Sequence, residues 1–434
     1  MEWWVVLSGS LVLLLAAFIS GAPLFIGFLI VNLGGVLFLI GPRGFILVAN
    51  SIFDSANIST LSAIPLFILM GEILTRSGSV ENLFRAMDGL VGKIRGRQYL
   101  LTVLISVVFG ALSGAAMAVA AMMGRSLYPT MMARRYDPGL SIGTILAGAS
   151  LAPIIPPSVL IVIIATLADV SVGRLLIAGI GPGLVAAVLI ALYIYMRVGA
   201  NRSLSPDVQS TDEGAGPGKL NSLALLLPFS IIIFAVMGLI LLGVATPSEA
   251  AATGVIGSII VAIIYGKFSF AMLKEALAGA MLITSMIMVI VVSSNLFGQL
   301  LGFTGATRDL VAFGASLSDQ PLVLLALLLG IVFVLCMFID QVALLLIIVP
   351  IYKPLVDAAG LDPIWFWVLV LINLSAGGIT PPFGYTMFAF KATVPGLPIS
   401  DVYRAAWPFV GVFVLLMILI VAIPQIATWL PSIM

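Results

Sequence analysis

The sequence predicts an all-helical protein that crosses a membrane many times, built as two inverted repeats of five transmembrane helices and one re-entrant hairpin each. Three observations lead there. The 434 residues are 62% hydrophobic and only 9% charged, where a soluble domain carries about 25% charged residues. Uncharged runs such as 223–242 and 322–339 match the ~20 residues that cross a bilayer. Finally, one unusual stretch occurs twice: Ser150-Leu-Ala-Pro-Ile-Ile-Pro-Pro-Ser158 and Ser375-Ala-Gly-Gly-Ile-Thr-Pro-Pro-Phe383. Tandem proline removes backbone donors and clashes with the preceding turn, so neither stretch continues a helix undisturbed.

Taken in order, residues 3–19 and 23–41 read as two helices, the second opening on Pro23. The start, Met1-Glu-Trp-Trp4, lacks the basic region of a cleaved signal peptide, so its apolar run is expected to be retained. A third helix is expected over 48–75. Over 80–95, Leu83, Met87, Leu90 and Val91 share a face opposite Arg85, Asp88 and Lys93, the pattern of an interfacial helix. Residues 99–133 are interrupted near Gly110–Ala115, and two short arms fit a re-entrant hairpin better than one span. The first proline break falls inside a helix over 141–167, and a fifth helix covers 175–197. Residues 201–220 are a polar linker on the cytoplasmic side.

The second half repeats this plan. Helices are expected over 221–242, 247–266 and 271–301, an amphipathic segment over 306–317, a hairpin over 321–356, a broken helix over 364–390 and a last helix over 405–431. The repeats are thus 1–200 and 221–434. Pro129, Asp137, Pro138, Ser150, Pro156 and Pro157 match Pro354, Asp362, Pro363, Ser375, Pro381 and Pro382 at a constant offset of 225. Gly71, Gly78 and Leu83 match Gly298, Gly305 and Leu310 at 227, and Pro23 matches Pro247 at 224. Five crossings per half is an odd number, so the second repeat is expected to run inverted. With both termini outside, fourteen of the 19 Lys and Arg residues fall on the cytoplasmic side and four outside, with Arg125 in the first hairpin. The positive-inside rule therefore places both termini on the outer face.

Paired broken helices at matching positions are the best sequence pointer to a transporter's binding site. Freed carbonyls and hydroxyls are hard oxygen ligands for a small cation. The first site is expected at the hairpin tip Ser113 and Gly114, facing Ala152, Ile155 and Pro157; the second at Asp340, facing Gly377, Thr380 and Pro382. Candidate solute contacts are Ser150, Ser158, Gln341, Asn373 and Ser375. Asp340 is the sharpest residue, because a carboxylate at membrane depth costs about 2.5–3.5 kcal/mol on insertion scales. It can ligate a cation, carry a proton or cap the return arm of its hairpin.

Composition also excludes functions. With no histidine, a serine–histidine pair or a histidine metal site is impossible. The lone cysteine, Cys336, excludes an internal disulfide. No phosphate-binding Gly-x-x-x-x-Gly-Lys loop is present, so ATP hydrolysis has no support. A net charge of +1 gives no case for nucleic acid.

The ordered set Ala63-Ile-Pro-Leu-Phe-Ile-Leu-Met-Gly71, Leu112-Ser-Gly-Ala115, Ile155-Pro-Pro-Ser158, Ala178-Gly-Ile-Gly-Pro182, Met337-Phe-Ile-Asp340 and Ile379-Thr-Pro-Pro382 resembles the large membrane subunit of TRAP transporters (tripartite ATP-independent periplasmic). The resemblance covers almost the whole chain. It implies an elevator-type carrier in the bacterial inner membrane, with hairpins and broken helices as a moving transport domain and the other helices as a scaffold. It implies sodium as the coupling ion and no other cofactor. It also implies a small four-helix membrane partner and a periplasmic substrate-binding protein that delivers an organic acid. The competing expectations are a proton-coupled or stand-alone carrier of the same architecture, with Asp340 titrating, and a channel or non-transporting scaffold.

Overall fold

The computed structural model describes residues 3–21, 23–78, 83, 86–87, 94–206, 219–315 and 320–434. All regular structure among them is helical. The first half runs α1 (Trp3–Ile19), α2 (Leu24–Leu39), α3 (Phe45–Asn57), α4 (Ala63–Arg76), α5 (Arg97–Ser113), α6 (Ala116–Ala133), α7 (Pro138–Ala149), α8 (Val159–Leu167), α9 (Val172–Ala178) and α10 (Ile180–Ala200). The second runs α11 (Lys219–Leu241), α12 (Pro247–Ile264), α13 (Phe270–Phe303), α14 (Ala306–Ala315), α15 (Pro321–Leu335), α16 (Gln341–Ala358), α17 (Pro363–Gly377), α18 (Tyr385–Ala392), α19 (Ile399–Ala422) and α20 (Gln425–Thr428). Among the described residues, seven helices are long and apolar enough to cross a membrane.

Local signals explain the starts of the central helices. Asp137 accepts from the Leu140 N–H at 2.7 Å, and Asp362 from the Trp365 N–H at 2.9 Å. In both, proline takes the first helical position, where its missing donor is not needed. Each cap is worth about 1 kcal/mol. Asp340 likewise caps α16, accepting from the Val342 N–H at 2.9 Å.

Three expectations need correction. The single helix over 48–75 is two, α3 and α4, separated by a 3-10 turn over Ser59–Ser62. The Asn57-Ile-Ser-Thr60 cluster supplies the reason, since short polar side chains compete for backbone groups and Ile58 turns extended. In the second half the corresponding α13 runs unbroken for 34 residues. The last helix begins at Ile399 and ends at Ala422, because Pro424 cannot continue it. The hairpin return arms α6 and α16 are 18 residues each, longer than the short arms expected, and α16 is by length able to cross. The interfacial helix expected over 80–95 lies mostly outside the described residues; Leu83, Ala86 and Met87 are helical and buried. Residues 207–218 of the linker also lie outside them.

The halves interlock. The return arm α6 packs on α18, with Tyr128 and Phe390 edge to face at 5.5 Å, and the return arm α16 packs on α8. Each hairpin thus leans on the broken helix of the other half. Around them, α4 packs on α12 and α13, and α2 on α13. Asn32 there donates to the Ser293 carbonyl at 2.8 Å, and Phe28 meets Phe297 at 5.7 Å.

Candidate functional site

Both proline stretches break their helices. The first leaves non-helical chain between α7 and α8, the second between α17 and α18, and Pro156-Pro157 and Pro381-Pro382 are both cis. The first break is buried throughout. Among the described residues, no donor reaches the carbonyls of Ala152, Pro153, Ile155, Pro156 or Pro157. Buried backbone oxygens normally have partners, so an unpaired group of this kind calls for an ion or water.

The tip of the first hairpin closes over this break. Gly114 is left-handed, with φ +61°, and the space where a Cβ would stand is 3.3 Å from the Pro157 carbonyl oxygen. Only glycine takes that turn and that approach together. Gly110 rests on Ala152, and Gly71 of α4 abuts the Leu112 and Ser113 carbonyl oxygens. The Ser113 and Ser158 hydroxyls are both buried and without partners. The Pro157 carbonyl oxygen and Ser158 thus stand beside the Ser113-Gly114 tip, neutral oxygens of the kind a small hard cation takes.

The second site is built differently. Gly377 meets Cys336 of the hairpin tip, and the Phe383 N–H donates to the Met337 carbonyl at 3.1 Å. At the offset of 225, Ser113 corresponds to Phe338, Ser158 to Phe383, Ala115 to Asp340 and Ile155 to Thr380. The serine pair is replaced by two phenylalanines, 58% and 59% exposed, with ring centroids 6.2 Å apart. A carboxylate stands instead where the first half has alanine.

One cavity of about 350 Å³ joins the halves. Its wall takes Ser113 to Ala118 from the first tip, Asp340 to Val342 from the second, Pro153 from the first break and Tyr385 from the restart of the second. Gly71, Glu72 and Thr75 of α4 and Ile283 and Ile287 of α13 close the other side. Glu72 is paired with Arg76 at 2.6 Å, and Arg76 reaches Glu275 at 3.3 Å.

Of the residues expected to act, Ser113, Gly114, Asp340 and Gln341 reach this wall. Ala152, Ile155 and Pro157 lie behind it in the first break, Ile155 packed on Gly183. Ser150 and Ser375 donate to the carbonyls four residues back, Leu146 and Leu371, at 3.1 and 2.9 Å. Thr380 does the same to Ala376 at 2.7 Å. The Pro382 carbonyl accepts from the Tyr403 hydroxyl at 2.7 Å. Asn373 donates to the Leu329 carbonyl at 2.7 Å and lines a separate apolar groove beside α15 and α19. Tyr385, which lines the cavity while its buried hydroxyl packs against Gly378 of the second break, was not expected. Its signal was a phenol two residues beyond the Pro-Pro-Phe step, where the helix restarts.

Comparison with known proteins gives concordant results. Residues 11–426 match the family described as tripartite ATP-independent periplasmic transporter, DctM component. The chain is 30% identical over 374 residues to the ectoine TRAP transporter large permease protein TeaC of Halomonas elongata, covering 86% of each chain. It is 29% identical to the C4-dicarboxylate TRAP transporter large permease protein DctM of Pseudomonas aeruginosa, covering 91% of this chain and 92% of that one. Among solved structures, the YdaH transporter of Alcanivorax borkumensis is similar in fold, with a TM-score of 0.65 at 15% identity, covering 91% of this chain and 90% of that one.

Proposed function

This chain belongs to the DctM component family of tripartite ATP-independent periplasmic transporters, and from that premise we propose that it is the permease of a sodium-coupled importer of a small organic acid anion. The observation that carries the reading is a cavity lined by both hairpin tips, with unpartnered oxygens behind the first and a carboxylate on the second. One sodium ion binds among Ser113, Ser158 and the carbonyls of the first break; another binds by Asp340 and the second break. Bound ions give these oxygens a partner and hold the tips in place, which shapes the pocket between them. Two sodium ions with one monoanion move one net charge, worth about 2.3 kcal/mol per 100 mV.

The hairpins and broken helices move together as an elevator, because each return arm is packed on the other half's restarted helix. The remaining helices, α4, α12 and α13 among them, form the frame. The protein sits in the bacterial inner membrane with both termini periplasmic. A small four-helix subunit and a periplasmic substrate-binding protein complete the system.

The test is uptake into proteoliposomes carrying the permease, its small subunit and its binding protein, with and without an inward sodium gradient. Accumulation that follows the gradient is expected. Uptake indifferent to it would refute the coupling.

A further inference from the structure

We propose that the pocket where α7 and α19 begin and α10 ends binds the headgroup of an ethanolamine phospholipid, with Arg197 and Arg404 on its phosphate and Asp137 and Asp401 on its ammonium. This goes beyond the transport reading and does not depend on which ion or solute is moved. The cavity holds about 420 Å³, within the ~300–1,000 Å³ usual for a small-ligand site. It is closed on the inside. The Tyr193 and Phe409 rings on its wall meet edge to face at 5.0 Å, and a Cβ at Gly143 would already meet Phe409. Charge is the first reason for the ligand. The wall carries two arginines and two aspartates. Among the described residues neither arginine side chain is in a salt bridge or hydrogen bond. Asp137 spends one oxygen on the Leu140 N–H at 2.7 Å, and Asp401 accepts from the Ser400 hydroxyl at 3.5 Å. Guanidinium forks suit a phosphate, and a carboxylate accepts directly from an ammonium N–H. A wall with no net charge matches a zwitterion charge for charge.

The same wall disfavours the other common headgroups. A quaternary choline has no N–H to give the aspartates. A glycerol headgroup brings the phosphate charge alone and leaves both aspartates facing it without a cation. Apolar surface is the second reason, and it separates a lipid from a free phosphate. From Arg404 the same face of α19 continues through Pro408, Gly411 and Leu415, all exposed. Nothing lies within 4 Å of a Cβ placed at Gly411, which leaves room for a hydrocarbon chain below the headgroup. A soluble phosphate ester would use none of that track. Trp407, one turn from Arg404, is 51% exposed, and exposed tryptophan gathers at headgroup level in membrane proteins.

The experiment uses the full-length protein, stripped of lipid in detergent, with thermal unfolding followed as a ligand is added. The ligands are dioleoyl phosphatidylethanolamine, phosphatidylcholine and phosphatidylglycerol, water-soluble glycerophosphoethanolamine, and inorganic phosphate. Saturable stabilisation by the ethanolamine lipid, at concentrations where the others do less, is expected. Arg197→Gln with Arg404→Gln should raise its half-saturating concentration about tenfold or more. Unfolding without lipid should not change, since both side chains are on exposed residues. Should the double variant not fold, Arg404→Gln alone should still raise the half-saturation. Asp401→Asn should narrow the gap between the ethanolamine and choline lipids, and Arg174→Gln, outside the pocket, should change nothing. Equal stabilisation by all three lipids, or an ethanolamine effect that survives loss of the arginines, would overturn the site. Greater stabilisation by phosphatidylglycerol, or equal stabilisation by either soluble phosphate, would overturn the ethanolamine lipid as its occupant.

Discussion

Replacing Asp340 by asparagine separates two tasks that one carboxylate can perform. One of its oxygens accepts the Val342 N–H at 2.9 Å and so starts the return arm of the second hairpin. Asparagine is as good an N-cap as aspartate, whereas alanine costs about 0.5–2 kcal/mol. If capping were the whole task, Asp340→Asn would behave as wild type and Asp340→Ala would lose only that much stability. If the carboxylate also holds sodium, the asparagine variant loses a charge-assisted contact. Such contacts are worth roughly 1.5–3 kcal/mol, which is about 10- to 100-fold in sodium affinity. The assay is the sodium concentration giving half of the maximal thermal stabilisation, measured on the purified chain, with sodium-dependent uptake as the second readout. The expected result is normal unfolding in choline for Asp340→Asn and a half-saturation moved up by at least tenfold, on the estimate just given. A half-saturation indistinguishable from wild type would leave Asp340 as a cap alone.

Other outcomes follow from the same geometry. Ser158→Ala removes a buried hydroxyl that has no partner, so the ion-free protein should unfold at its usual temperature while sodium affinity drops about two- to tenfold; unchanged affinity would take Ser158 out of the first site. Ser150→Ala and Ser375→Ala remove hydroxyls already bonded within their own helices, so sodium affinity and uptake should both hold, and a loss of either would show that these hydroxyls turn toward the pathway during transport. Gly71→Val places methyl groups where even a Cβ would lie 3.3 Å from the Leu112 and Ser113 carbonyl oxygens; overpacking of about 1–3 kcal/mol should slow uptake in protein that still runs as folded on size exclusion, and full uptake would mean the tip never presses on α4. Gly143→Ala sets a Cβ 2.5 Å from the Ala405 carbonyl oxygen and against the Phe409 ring, so a similar penalty of about 1–3 kcal/mol should lower the melting temperature, which calorimetry or fluorescence would detect.

Much of the architecture could be read in advance because its signals are local. Asp137-Pro138 and Asp362-Pro363 are helix starts in any context, and tandem proline ends a helix wherever it falls. Their constant offset made the repeat visible before any contact was known. Asp340 carried its cap in its position ahead of the return arm. Errors came where a local signal was weak. The Asn57-Ile-Ser-Thr60 turn was hidden in an apolar run, and Pro424 lay inside the length assigned to the last helix.

The sequence by itself determined where the proline breaks fall, that they come in pairs and where the aspartate-capped helices start, since propensity, capping and proline chemistry act over a few residues. Only the tertiary structure decided which side chains meet. Many of these helices are apolar on every face, so periodicity does not say which face turns inward. Packing alone put Tyr385 in the cavity wall, sent Asn373 to another groove and left Ser158 unpaired while Ser150 bonded its own helix. Those outcomes depend on rotamers and neighbours contributed by distant segments, and no stretch of chain contains them.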